Sequence, residues 1–198
     1  MARRQNNRPL RQGKYVIVGA GLTERYYFTH LKRLISLPVD IRPRMFGREN
    51  ITALTKRIEE IVPNAIVLCV FDADVSQWDA MEKQRLQDMK RQYRNNDNVH
   101  LFDSMPSIEY WFLLHFENTN RFMATSHEAM NALRKHIPDF DKTTQFLEKD
   151  QWVRLLLADN RLATACERAE TFSDNKTPDD TISYSELYKF FKLLTTNK

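Results

Sequence analysis

The sequence has few of the residues that define several large classes of protein. Its two cysteines, Cys69 and Cys166, lie in apolar segments and are too few for a disulfide framework. Four glycines and seven prolines argue against long low-complexity linkers. No apolar run approaches the roughly 20 residues of a membrane-spanning helix, and the basic N-terminus is not followed by the apolar segment of a signal peptide. We therefore expect a cytoplasmic protein that does not associate with membranes.

The charge balance permits a nucleic-acid partner without requiring one. The 198 residues carry a formal net charge of +4, with 42% hydrophobic and 28% charged residues, which is typical of a globular chain that buries one core. Residues 1 to 13 hold several arginines and no acid, so they form either a solvated flexible arm or an arm that contacts phosphates. The candidate nucleic-acid-binding residues are Arg3, Arg4, Arg8 and Arg11, together with Arg25.

Alternating strand and helix patterns over residues 14 to 117 predict a three-layer α/β domain with a mostly parallel sheet. Strands are predicted at 14–18, 39–46, 65–71 and 99–102, and helices at 23–36, 51–61 and 76–95. Thr23 and Asn50 are the expected N-caps of the first two helices.

After Pro106 the sequence shows helical patterns and no further strand pattern. Helices are predicted near 108–116, 125–137, 143–157, 160–172 and 183–194. Residues 118 to 198 are therefore expected to form a helical extension that packs on the α/β domain. Either this extension or the polar helix near 76–95 could supply the interface of a homo-oligomer.

A glycine turn follows the first predicted strand. Gly19 and Gly21 supply a tight turn into a helix, as at the start of a β-α-β unit. A dinucleotide-binding fingerprint would need glycine or alanine where Glu24 stands, so the pattern supports that function only weakly. Glu24 by itself is explained without a ligand, because an acid in the first turn of a helix interacts favourably with the helix dipole.

Two aspartates separated by one residue end the most apolar predicted strand. In a parallel α/β sheet the ligand site lies beyond the carboxyl ends of the strands. Asp72 and Asp74 point to the same side if the backbone stays extended, and they then offer oxygen ligands to one Mg²⁺ or Mn²⁺ ion. Clustered carboxylates without a cation would repel and raise one another's pKa, which favours a metal site. The alternative is that the pair only caps a turn.

The histidines show no pattern typical of a zinc site. His115 ends an apolar helix, and we predict that it is a hydrogen-bonded core residue and not a catalyst. The other histidines have no spacing that brings two of them onto one helix face. They are His30, His100, His127 and His136.

Three segments of the sequence resemble the motif blocks of the RloB-like family. They are Ile17-Val-Gly-Ala-Gly-Leu-Thr-Glu-Arg-Tyr-Tyr-Phe28, Val70-Phe-Asp-Ala-Asp74 and Pro106-Ser-Ile-Glu-Tyr-Trp-Phe-Leu-Leu-His-Phe116. The third block, with its Ser-x-Glu-x-Trp-x-Leu-Leu-His string, is the most specific, whereas Asp-x-Asp is common. Weaker similarity continues through Ile137 to Lys142 and Arg161 to Ala169, so the resemblance covers most of the chain.

The resemblance implies a Toprim fold related to the OLD-family nucleases, a role in bacterial antiphage defence and abortive infection, and an ATPase partner protein. It also implies a site with one or two Mg²⁺ or Mn²⁺ ions that hydrolyses the phosphodiester bonds of DNA or RNA. Carried over, Asp72 and Asp74 would be metal ligands, and Glu24 would bind a second metal ion or support the first. Glu109 would be a further acidic residue of the catalytic site, and Lys142 would stabilise charge on the scissile phosphate.

The chain departs from the family pattern at position 20. The family has Glu-Gly after the first strand, where this sequence has Ala20-Gly21. One interpretation is a natural alanine in a member that has lost hydrolysis and acts as a binding or regulatory subunit. The other is an introduced substitution of the catalytic glutamate, which the retention of the remaining blocks favours. On both interpretations we expect the chain with Ala20 to be catalytically inactive.

Overall fold

A computed structural model describes residues 15–19, 21–42, 50–73, 80–174 and 182–196 of the chain. Its strands are β1 (Tyr15–Gly19), β2 (Val39–Ile41), β3 (Ile66–Asp72), β4 (Val99–Met105) and β5 (Tyr184–Ser185). They form one sheet in the order β2-β1-β3-β4-β5. The first four strands are parallel, and β5 is antiparallel to β4. The predicted α/β class with a mostly parallel sheet is therefore confirmed.

The helices lie on both faces of this sheet and fill the C-terminal part. They are α1 (Leu22–Leu34), α2 (Ile51–Ile61), α3 (Ala80–Tyr93), α4 (Ile108–Leu114), α5 (Ser126–Leu133), α6 (Thr144–Leu147), α7 (Gln151–Leu157), α8 (Arg161–Asp174) and α9 (Leu187–Thr196). Among the residues that the structure describes, no helix is long and apolar enough to cross a membrane.

The N-caps of α1 and α2 differ in how well the sequence predicts them. The side chain of Asn50 accepts a hydrogen bond from the backbone N–H of Ala53 at 2.9 Å, and α2 has the predicted bounds. The prediction that Thr23 caps α1 is wrong. The extended residue before α1 is Gly21, so the helix starts at Leu22 and Thr23 lies buried in its first turn.

Strands β1 and β3 bury side chains on both faces, which explains their unbroken apolar sequences. Val16 and Val18 belong to a core cluster that includes the apolar residues of α2 and α3. Ile17 points to the opposite cluster, which includes residues of α1, α4 and α9. Cys69 is buried in the cluster that contains Val16 and Val18, whereas Cys166 is partly buried against the cluster that contains Ile17.

The C-terminal part completes the sheet as well as adding helices. Its strand β5, which the sequence pattern does not predict, pairs with Ser104 and Met105 of β4, and Ser104 Oγ lies 2.7 Å from Ser185 Oγ. A strand of two residues is too short to show alternation, so the pattern could not reveal it. As a result α9 begins at Leu187 and not at 183.

Other predicted bounds change by a few residues. The helix predicted at 143–157 is two helices, α6 and α7, and β4 continues to Met105 beyond its predicted end at 102. The parts of the second strand and third helix predicted at 43–46 and 76–79 lie outside the described residues.

Candidate functional site

Three acidic side chains are delivered to one edge of the sheet by three parallel strands. Strand β1 ends at Gly19 and leads into α1, whose first turn carries Glu24. Strand β3 ends at Asp72, which lies opposite Ser104 of β4 in the ladder. Strand β4 leads into α4, whose first turn carries Glu109. Because the strands are parallel, their carboxyl ends meet at the same edge, where ligands bind in such sheets.

Direct contacts hold two of the three acidic residues, Asp72 and Glu109, in place. The Oγ–H of Ser107 donates to Glu109 Oε2 at 2.6 Å, and the backbone N–H of Ile108 donates to Asp72 Oδ1 at 2.9 Å. Lys142 Nζ lies 3.0 Å from Glu109 Oε1. Lys142 belongs to the irregular segment between α5 and α6, so the C-terminal part completes this side of the site.

The carboxyl groups influence one another electrostatically. Burial, assisted by the charge of Glu109, raises the pKa of Glu24 to about 7, while a backbone hydrogen bond and the charge of Lys142 oppose the shift. Burial also holds the pKa of Asp72 well above its usual range, with contributions from the charges of Glu24 and Glu109. Burial lowers the pKa of Lys142, but the charge of Glu109 and its hydrogen bond to the lysine, together with the charges of Asp72 and Glu24, outweigh burial and the net shift is upward. The cluster therefore has more acidic groups than Lys142 neutralises.

The oxygen donors of this cluster are of the kind that divalent cations such as Mg²⁺ or Mn²⁺ prefer, although the described residues alone do not complete a ligand set. All three acidic residues offer hard oxygen atoms, and the raised pKa values of Glu24 and Asp72 reflect repulsion and burial that a cation would offset. Within the described ranges, no group of three or more His, Cys, Asp or Glu residues is arranged as a metal-ligand set. Asp74 and Ala20 lie outside the described residues.

The family model for RloB-like proteins matches residues 15–194. The chain belongs to the RloB-like family. A search of curated proteins and a search of solved structures found no match to this chain. The match spans all three motif blocks and the C-terminal part, so the whole described fold is that of an RloB-like protein.

The RloB-like fold brings together four of the residues predicted from sequence. Glu24, Asp72, Glu109 and Lys142 form one cluster, and each influences the pKa of Asp72 or is influenced by it. Arg25 follows Glu24 on α1, and its guanidinium lies 5.5 Å from the ring centroid of Tyr26. The remaining predicted site residues lie outside the described part. They are Arg3, Arg4, Arg8, Arg11, Ala20 and Asp74.

Sequence reasoning missed the role of Ser107. A serine before a helix is usually its N-cap, and Ser107 does occupy the N-cap position of α4, but its side chain makes no capping hydrogen bond. The hydroxyl donates instead to Glu109 and is fully buried with it. The available signal was a serine two residues before a glutamate in the most specific motif block of this RloB-like protein.

The histidine predictions agree with the structure where it tests them. His115 is buried, and its Nδ1 lies 3.0 Å from the carbonyl oxygen of Trp111. Burial lowers its pKa to about 3, so the ring stays neutral at physiological pH. His30 Nε2 lies 2.8 Å from the carbonyl oxygen of Leu147. Both are hydrogen-bonded residues of the interior.

The raised pKa of Glu24 predicts a pH dependence of stability. Its folded-state pKa of about 7 exceeds the ordinary value of 4.5, so the folded chain retains a proton that the unfolded chain releases between these values. The free energy of unfolding should therefore fall as the pH rises from 4.5 to 7, by at most about 3 kcal/mol from this group. In urea denaturation across this pH range, the free energy of unfolding of Glu24→Gln should fall less steeply with pH than that of the unchanged chain.

A control substitution of the exposed Glu59 by glutamine should leave the dependence of the unfolding free energy on pH unchanged. An equal slope in Glu24→Gln would contradict the prediction.

Proposed function

We propose that the glutamate-containing form of this RloB-like chain is a divalent-cation-dependent nuclease of the Toprim type, related to the OLD-family nucleases. It hydrolyses phosphodiester bonds of DNA or RNA, and alanine at position 20 disables it. The observation that carries the proposal is the convergence of Glu24, Asp72, Glu109 and Lys142 at the carboxyl edge of the parallel sheet. Buried carboxylates around one lysine are poorly suited to a purely structural role, because they repel one another.

The carboxylates would hold the metal. Asp72 and Asp74 are the proposed ligands, Glu24 binds a second ion or supports the first, and position 20 directly follows Gly19, the last residue of β1, in the sequence. A bound Mg²⁺ or Mn²⁺ would supply a Lewis acid that polarises the phosphate and lowers the pKa of water. The N–H of Ile108 orients Asp72 by occupying one of its two oxygen atoms.

Lys142 is suited to the phosphate. Its side chain is 40% exposed while its Nζ lies beside the fully buried carboxylate of Glu109. The ammonium group can therefore face both Glu109 and a ligand that approaches from solvent. A preorganised cation at this place would stabilise negative charge that develops on the scissile phosphate. Glu109, held by Ser107, fixes the position of Lys142.

Contacts to the rest of the nucleic acid would come from arginines. Arg25 is partly exposed one residue after Glu24, so its guanidinium can bind a phosphate that flanks the scissile bond. The arginines of residues 1 to 13 are proposed to contact phosphates further away. The resemblance also supports an ATPase partner and a role in antiphage defence by abortive infection in the cytoplasm.

A second candidate function follows from Ala20. If this alanine is natural, the chain is a binding or regulatory subunit of a defence complex that contacts an ATPase or nucleic acid without cutting. The two candidates differ in their relation to metal, because the subunit should bind its partner equally well with and without divalent cations.

Calorimetric titration with Mg²⁺ or Mn²⁺ separates the two candidates. On the nuclease proposal the chain should bind the cation at a defined site, and Ala20→Glu should bind it more tightly because a carboxylate is added. Asp72→Asn in the same background should weaken binding again. Equal binding by all three proteins, together with no cleavage of single- or double-stranded DNA or RNA by Ala20→Glu, would contradict the nuclease proposal and favour the binding subunit.

A further inference from the structure

Lys142 occupies a part of the chain that has no regular structure of its own. Residues 140 to 143 belong to neither a helix nor a strand, and they connect the region after α5 to α6. The nearest helical hydrogen bonds begin at Thr143. A lysine has a long flexible stem, so its ammonium group keeps one position only if the backbone that carries it is fixed.

An upstream contact fixes this backbone two residues before Lys142. The Nε–H of Arg134, at the C-terminal end of α5, donates to the carbonyl oxygen of Phe140 at 2.9 Å. The Phe140 ring is fully buried and packs against Phe112 and Trp152. The buried ring fixes Phe140 in the core, and the hydrogen bond from Arg134 fixes the orientation of the backbone that leads to Lys142.

A second contact fixes the backbone on the C-terminal side of Lys142. Two ring N–H groups converge on the carbonyl oxygen of Leu147 at the end of α6: His30 Nε2 at 2.8 Å and Trp152 Nε1 at 3.4 Å. Because this oxygen can only accept, the His30 nitrogen must carry its proton there. His30 lies on α1, the helix that also carries Glu24. The contact therefore ties the Lys142 segment to the helix that presents an acidic residue of the site.

We infer that Arg134 and His30 are positioning residues that hold the 140–147 segment so that Lys142 Nζ meets Glu109. Neither residue belongs to the cluster formed by Glu24, Asp72, Glu109 and Lys142. Each acts through a backbone carbonyl on one side of Lys142, at Phe140 and at Leu147. The catalytic consequence of this positioning rests on the proposed nuclease function, but the positioning itself does not.

The acetylation rate of the Lys142 amine measures this positioning, because an ammonium group held beside Glu109 reacts more slowly than one free in solvent. Each protein would be treated with limiting acetic anhydride well below its unfolding temperature, and the acetylation of each lysine followed by peptide mass spectrometry. The exposed Lys149 serves as an internal reference. Arg134→Met and His30→Phe remove the donor groups and keep the bulk of the side chain. Arg134→Lys and His30→Gln restore a donor, and Lys135→Met is a control at the neighbouring exposed position.

In the unchanged chain, we expect acetylation of Lys142 to be several-fold slower than that of Lys149. It should rise to the Lys149 rate in Arg134→Met and in His30→Phe, and return toward the original rate in the two restoring variants. Folded donor-removing variants with an unchanged Lys142 rate would overturn the inference.

The acetylation result and the nuclease proposal can fail separately. If the acetylation rates change as expected but the Ala20→Glu protein cleaves no nucleic acid, the positioning stands and the nuclease proposal fails. If Ala20→Glu does cleave, Arg134→Met and His30→Phe should lower kcat and leave KM unchanged.

Discussion

The Ala20→Glu variant should cleave nucleic acid in the presence of Mg²⁺ or Mn²⁺ at least about 10²- to 10³-fold faster than the chain with Ala20. Position 20 directly follows Gly19, the last residue of β1, and β1 pairs in parallel with β3, which ends at Asp72. On the nuclease proposal, a carboxylate here would join a cluster in which hydrogen bonds already hold Asp72 and Glu109 and Lys142 pairs with Glu109. The measurement is the rate of cleavage of labelled single- and double-stranded DNA and RNA, with and without the cation.

Matched variants show whether such cleavage comes from this site. Ala20→Gln adds a side chain of similar size without the charge and should stay inactive. In the Ala20→Glu background, Lys142→Met should lower the rate by about 10²- to 10³-fold, because it removes the cation that lowers the pKa of both Glu24 and Asp72. Equal rates for Ala20→Glu and Ala20→Gln, or full activity in Lys142→Met, would show that the cluster is not a nuclease site.

Substitution of Trp111 by alanine should lower the free energy of unfolding by about 3 to 5 kcal/mol, the usual cost of removing a large buried aromatic side chain. Trp111 is fully buried, its Nε1–H donates to the hydroxyl of Tyr27 at 2.9 Å, and its ring stacks on Phe191 with centroids 5.6 Å apart. It thus joins α4 to α1 and to α9. Loss of the ring leaves a cavity between these helices and a buried hydroxyl without its donor.

Urea denaturation followed by circular dichroism measures this loss. Phe122→Ala is the matched control, because Phe122 is 41% exposed and its removal should change stability by no more than about 0.5 kcal/mol. Trp111→Phe keeps most of the side-chain volume, so its loss of unfolding free energy should lie between those of Trp111→Ala and Phe122→Ala. A Trp111→Ala protein as stable as Phe122→Ala would contradict the packing of α4 against α1 and α9.

The elements that the sequence predicts best are those with a repeating pattern of burial. Strands β1 and β3 are covered on both faces, so their residues are apolar without interruption. Helix α2 buries one face and has Asn50 as its cap, which gave its bounds correctly. Strand β5 has two residues and is held by two pairs on β4, so no local pattern predicts it.

The sequence likewise predicts only part of the candidate site. Glu24 and Asp72 follow strands, and their proximity is predictable from sequence because parallel strands present their carboxyl ends at one edge of the sheet. Ser107 illustrates the limit, because a serine before a helix is usually its cap and nothing local shows that its hydroxyl turns to Glu109.

By itself, the sequence determined the order of the first four strands and the helices between them, the RloB-like family of the chain, and the edge of the sheet where its acidic residues lie. These properties depend on local patterns of apolar residues and on motifs that are continuous in the chain. Only the tertiary structure decided that Lys142 meets Glu109, and which side chains hold it there. Such contacts join residues far apart in sequence, and their geometry is set by how the C-terminal helices pack against α1 and α4.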